Sequence, residues 1–142
     1  MTRPSPFSVR GRHALTMMRD ERDLLVVRRQ LNRLGMTVTE QDPAKPPRAD
    51  AAVDVIVLDA DSVPIKSEPG SVWTSNVPVV ALIGTETPSR LKWLLDLQPA
   101  SFLVKPLRSA GLYTALVVAF DTARRRIDEA ARVAKLEARI RS

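Results

Sequence analysis

Apolar residues recur in two rhythms along this chain, and the alternation between them predicts an α/β protein. Leu24, Val27, Leu31 and Leu34 fall three or four residues apart, forming one face of a helix that Asp20 or Asp23 would cap and Gly35 would end. Ahead of this helix Ala14 to Met18 reads as a strand, and after it Met36 to Glu40 alternates as a half-buried one. Val53 to Asp59 is nearly all β-branched or apolar and ends on a carboxylate, as a strand buried on both faces of a parallel sheet would. Val77 to Gly84 repeats that pattern. Thr87-Pro88 then supplies a cap and a first-turn proline for a helix with Leu91, Leu94 and Leu95 on its apolar face. Ser101 to Val104 is a fifth strand, closed by Lys105-Pro106, and Ser109 starts the last helix.

Breakers shape two of the crossovers. Pro43, Pro46 and Pro47 forbid a regular helix where an α/β repeat would place its second, and Pro64, Pro69 and Gly70 impoverish the next connection. Strands alternating with crossovers imply right-handed β-α units. Five of them suit a doubly wound, flavodoxin-like parallel sheet of order 2-1-3-4-5.

No breaker follows Leu112, so the last helix should run roughly 30 residues, or about 45 Å, too long for a domain of this size to cover. Leu116, Phe120 and Ile127 continue one apolar stripe; Val133, Leu136 and Ile140 resume another at heptad-like spacing beyond several alanines. A protruding helix is marginal in water without packing. A parallel homodimer through Ile127, Val133, Leu136 and Ile140 is therefore expected. The chain divides into a disordered basic arm (1–12) with Arg3, Pro4, Pro6, Arg10 and Arg12, a domain (13–120) and a helical stem (121–142).

Composition narrows the function classes. At 142 residues the chain can bury a sound core without staples. It has no cysteine and one histidine, His13, which excludes disulfides, thiolate chemistry and a His/Cys metal cage. The stretch after His13 is too short for a secretion signal, and nothing approaches a membrane span, so a soluble, cytoplasmic protein without membrane contact is expected. The net charge of +6 owes much to Arg124-Arg125-Arg126, Arg132, Lys135, Arg139 and Arg141 in the stem. With Phe7, Phe102 and Phe120 scattered, that reads as a solvated helix face rather than a nucleic-acid platform. Trp73 and Trp93 read as packing or partner-surface residues.

In a doubly wound sheet the loops at the strands' carboxyl ends converge on one crevice. That crevice would gather Asp20 and Glu21, then Asp59, Gly84-Thr85 and Lys105. Those types suit phosphoryl transfer to a carboxylate: Asp20, Glu21 and Asp59 would hold Mg2+, Asp59 would attack phosphorus, and Lys105 with Thr85 would neutralise the transferred oxygens.

Asp54-Val55-Ile56-Val57-Leu58-Asp59, Pro78-Val79-Val80-Ala81-Leu82 and Phe102-Leu103-Val104-Lys105-Pro106 together resemble the CheY-like receiver domains of bacterial response regulators. Ala81 through Leu91, Lys105-Pro106-Leu107-Arg108-Ser109 and Tyr113-Thr114-Ala115-Leu116 are similar to the AmiR/NasR-type antitermination regulators, or ANTAR proteins, as is the proline cluster in place of helix two. The resemblance implies a receiver or pseudo-receiver, a coiled coil and then an RNA-binding ANTAR module, which does not follow before the chain stops in mid-helix at Ser142. It also implies Phe102 as a signalling aromatic.

Two positions depart from the receiver pattern. Arg19 falls where the first of two acids belongs, and Ile83 falls where a switch hydroxyl belongs, with Thr85 beyond it. The expectation is a degenerate receiver without catalysis of its own, governed by a sensor kinase or a ligand-sensing regulatory protein and reaching RNA only through the further module. The alternative is a working phospho-acceptor on Asp59 with Mg2+ as its cofactor. A flavodoxin-like nucleotide binder is disfavoured, because Arg19-Asp20-Glu21 replaces a glycine-rich loop after the first strand.

Overall fold

The computed structural model describes residues 5–45, 52–64, 77–108 and 110–141. Along these run β1 (His13–Met17), α1 (Glu21–Arg33), β2 (Thr37–Gln41), β3 (Val55–Asp59), a 3-10 turn (Ala60–Ser62), β4 (Val79–Ile83), α2 (Pro88–Leu97), β5 (Ser101–Val104) and α3 (Leu112–Arg141). All strand pairs are parallel and the sheet order is β2-β1-β3-β4-β5, the flavodoxin-like order that the alternating rhythms predict.

The continuous apolar runs become the sheet centre: every residue of β3 and β4 is buried. Their side chains alternate between two cores, as a period of two requires. Val55, Val57, Val80 and Leu82 pack with Val27 and Leu31 of α1 and with Leu116, Ala119 and Phe120 of α3. Ile56, Leu58, Ala81 and Ile83 pack on the other face with Trp93, Leu94 and Leu97 of α2. Each such side chain contributes roughly 1.5–3 kcal/mol when taken fully out of water. β2 is an edge strand and mostly exposed.

Caps fix where the helices begin. Asp20 accepts the backbone N–H groups of Arg22 and Asp23 at 2.9 and 3.0 Å and so starts α1. Thr87 accepts from Arg90 N, with Pro88 in the first turn of α2. Past α1 the chain turns at Gly35, whose φ of +78° and closeness to Arg10 (2.8 Å from an added Cβ to Cγ) leave no room for a side chain. Among the described residues no helix separates β2 from β3, and only the 3-10 turn stands early in the next crossover. Trp73, Ser109 and much of both proline-rich connections lie outside the described residues.

The expected disordered arm needs correction over residues 5–11. Val9 is buried in the α1/α3 core, Gly11 N donates to Gly35 O at 2.9 Å, and Tyr113 Oη donates to Phe7 O at 2.9 Å. An isolated apolar residue in a proline-bearing segment has no periodicity to announce it, yet the start of α3 offers it a cover.

α3 changes character along its length. Leu112, Ala115, Leu116, Ala119 and Phe120 are buried, whereas every residue from Arg125 to Arg141 is exposed. Asp121 binds Arg124 at 2.6 Å and Arg125 at 2.8 Å, and Arg126 donates to Gln98 O at 3.1 Å where α2 ends, which orients the departing stem.

Candidate functional site

The carboxyl ends of β3, β4 and β5 and the start of α1 meet in one charged cluster. Asp59, the last residue of β3, is only 1% exposed. Its Oδ1 accepts from Lys105 Nζ at 2.8 Å and from Asp61 N at 3.1 Å, and its Oδ2 accepts from Ser62 Oγ at 3.0 Å. A buried carboxylate is tolerable only when so paired. Lys105 Nζ also lies 3.2 Å from Asp61 Oδ2 and 3.5 Å from Asp23 Oδ2. Three carboxylates thus surround one ammonium.

Asp61 also reaches across to the loop after β4. Its Oδ2 accepts from Gly84 N at 2.9 Å and its Oδ1 from Thr85 N at 3.0 Å. Burial by itself would raise the Asp61 pKa, but the Thr85 and Gly84 amides and Lys105 together hold it below the ordinary carboxylate value. Burial would likewise depress Lys105, and Asp59 and Asp61 outweigh it and hold the ammonium above its ordinary value.

The expected residues are distributed unevenly around this cluster. Asp59 and Lys105 are joined as expected for the crevice. Asp20 is spent on the α1 cap, where the Asp23 N–H chiefly lowers its pKa, and Glu21 is exposed on the first turn. Thr85 enters through its main-chain N–H, and its side chain is exposed. Ile83 is buried against α2 and offers no polar atom. Arg19 turns outward to Asp42 at 3.7 Å, so the cation that sits among the carboxylates is Lys105. Asp23 and Asp61 were absent from the expected set. The signals for them are the Asp20-x-x-Asp23 spacing, which puts both acids at the head of α1, and the run Asp59-Ala60-Asp61, which returns a second acid to the same turn.

As the side chains stand, the Lys105 ammonium occupies the space among Asp23, Asp59 and Asp61. Among the described residues no three His, Cys, Asp or Glu side chains are grouped to hold a metal, so Asp20, Glu21 and Asp59 do not form one site. An ammonium held by Asp59 and Asp61 stands where a dication would compete for the same oxygens.

On the edge strand, Phe102 and Val104 share the face toward α2 and stand 61% and 49% exposed, while Ser101 turns to the opposite side and donates to Ala115 O at 2.6 Å. Ile127, Val133, Leu136 and Ile140 are all exposed along the stem.

A family model described as AmiR, N-terminal, matches residues 14–120. The chain belongs to this AmiR N-terminal family. It is a receiver domain of the response-regulator type, a regulatory class in two-component signalling. No curated protein matches the sequence. Among solved structures it is similar to a CheY-like response regulator from Mesorhizobium loti, at 20% identity and a TM-score of 0.62 over 75% of this chain and 97% of the other. It is also similar to the receiver domain of a sensor histidine kinase from Pseudomonas aeruginosa, whose cleft holds a magnesium ion, at 21% identity and a TM-score of 0.62 over 78% and 98% of the two chains. A fusion carrying the yeast Spc42 trimeric coiled coil matches over 94% of both chains at 15% identity and a TM-score of 0.69. At these identities the likeness is one of fold. Among the described residues no helix is long and apolar enough to cross a membrane.

Proposed function

We infer that this receiver is the input module of a cytoplasmic antitermination regulator of the ANTAR type, and that it is switched by protein contact rather than by phosphate. The observation that carries this reading is the state of Asp59. Both of its oxygens are engaged, by Lys105, Asp61 N and Ser62, and its surface is closed to solvent, so an incoming phosphoryl group would have to break a satisfied buried network. Ile83 at the switch position and the dispersal of Asp20, Glu21 and Asp59 point the same way.

A contact signal needs a surface and a transmission line. Phe102 and Val104 offer an apolar surface on the uncovered edge of the sheet, suited to a sensor kinase or a ligand-sensing regulatory protein. α3 is buried against the sheet at its start and projects beyond it, so a bias at its base reaches the stem without a hinge. A homodimer through Ile127, Val133, Leu136 and Ile140 would carry that bias to an RNA-binding module elsewhere in the regulator, and this receiver performs no catalysis of its own.

The alternative reading, a phospho-acceptor on Asp59 working with Mg2+, draws support from the 2.8 Å Asp59–Lys105 pair. Incubation with acetyl phosphate, or with beryllofluoride, in the presence of Mg2+ separates the two. Contact signalling expects no gain in intact mass and no change in tryptophan fluorescence. A stoichiometric phosphoryl adduct lost on substituting Asp59→Asn would establish the alternative.

A further inference from the structure

Gly84 N, Thr85 N and Lys105 Nζ converge on one place, and the groups they meet there are the two oxygens of Asp61. Two successive main-chain N–H groups beside an ammonium are an anion-binding arrangement whatever fills it. Gly84 shows how closely this one is fitted. A Cβ added there would lie 2.8 Å from Asp61 Oδ2 and 3.1 Å from Lys105 Cδ, so the carboxylate sits directly against the glycine backbone. Asp61 comes from the turn after β3, 23 residues before Gly84, and bridges two neighbouring strand ends.

We propose that Gly84, Thr85 and Lys105 form an oxyanion pocket that Asp61 keeps filled, so that the domain carries a built-in anion and responds to inorganic oxyanions only when that carboxylate is removed. This deepens the contact-signalling reading, on which it rests, by naming what makes the site indifferent to phosphate. Two physical facts favour the internal anion. A tethered carboxylate already held in position competes at an effective concentration that a dissolved ion does not match. An incoming anion would also meet the negative charge of Asp61 and Asp59 with a single ammonium between them. Without Asp61, the Gly84 and Thr85 amides lose their acceptor beside a Lys105 ammonium that keeps its bond to Asp59, and a small tetrahedral oxyanion has the size and charge to replace the missing carboxylate.

The test uses the full chain and inorganic phosphate as the probe, with amide hydrogen exchange and nitrogen-15 amide spectra read at Gly84 and Thr85. In the native protein both amides should exchange slowly and keep their positions on phosphate addition. In D61A their exchange should accelerate roughly ten- to a hundredfold, the loss expected for a hydrogen bond to a charged acceptor, and phosphate should shift both resonances saturably and slow their exchange again. D61N keeps the shape without the charge, so it covers the case in which D61A fails to fold. It should show faster exchange than the native protein and weaker phosphate binding than D61A. Saturable shifts of the same affinity in native protein and variants would overturn the proposal, as would variants whose amides ignore phosphate. Phosphorylation of native Asp59 sinks the contact-signalling reading, whereas loss of the contrast between variants and native protein sinks this inference alone.

Discussion

The crevice end of the sheet and the outer half of α3 are both rich in charge, yet they are built on opposite terms. In the crevice, Asp23 from the first turn of α1 and Asp59 and Asp61 from the end of β3 close around Lys105, which follows β5. In the stem, from Arg125 onward, every residue is exposed and the recorded ion pairs are local ones such as Arg132–Glu129 at 3.6 Å. Short-range surface pairs of that kind contribute about 0–1 kcal/mol each. The crevice is therefore determined by the fold, and the stem leaves its apolar residues Val133, Leu136 and Ile140 exposed.

This contrast can be broken or sharpened, beginning with its base. Leu116 is fully buried where α3 still covers the sheet. Leu116→Ala should cost roughly 2–5 kcal/mol in urea unfolding, and a loss under 1 kcal/mol would mean that the helix base is not packed as described. Lys105→Met should cost roughly 2–4 kcal/mol, because it strands the buried Asp59 carboxylate, with partial solvation of Lys105 moderating the loss. Lys105→Met combined with Asp59→Asn should recover much of that stability, since no buried charge is then left unpaired. Recovery of none would place the role of Lys105 elsewhere.

Acid should weaken the crevice. Asp61 has a folded pKa below its ordinary value, so its contribution is present above the unfolded carboxylate pKa, near about 4, and is lost as pH falls through the lower folded value. Lys105 has a raised folded pKa, so its contribution is present below about 10.4, its unfolded value, and is lost only at higher pH, through the folded one. Unfolding free energy should therefore decline below about pH 4, and D61N should flatten that decline. The smallest effect on domain stability belongs to Leu136→Asp. At high dilution its unfolding midpoint should match the native protein within about 0.5 kcal/mol, while sedimentation should show loss of self-association. A native protein that is monomeric at high concentration would remove the homodimer, and a trimer would replace it with a different assembly of the same stem.

Much of this architecture is legible along the chain because its signals are local. Val55 to Asp59 and Val79 to Ile83 are apolar without interruption, and such runs have few places to go except the middle of a covered sheet. Thr87-Pro88 marks the start of α2 through one side chain and one fixed φ. Arg19 shows where this legibility ends. Its position in the sequence places it beside the acids, whereas the turn after β1 sends it out to Asp42 and leaves the capping role to Asp20.

Periodicity, breakers and caps are properties of a few consecutive residues, and they were enough to predict five parallel strands, the flavodoxin-like order they take and the length of the last helix. Asp59 and Lys105 were also identifiable, since each ends a recognisable strand. Asp61 was not, because its role depends on two amides more than twenty residues away. Only packing β3 against β4 brings that carboxylate within 3 Å of Gly84 N, and only the absence of a side chain at Gly84 lets it stay there. Val9 belongs with it: one apolar residue carries no rhythm, and it is buried only because it joins the core to which both α1 and α3 contribute.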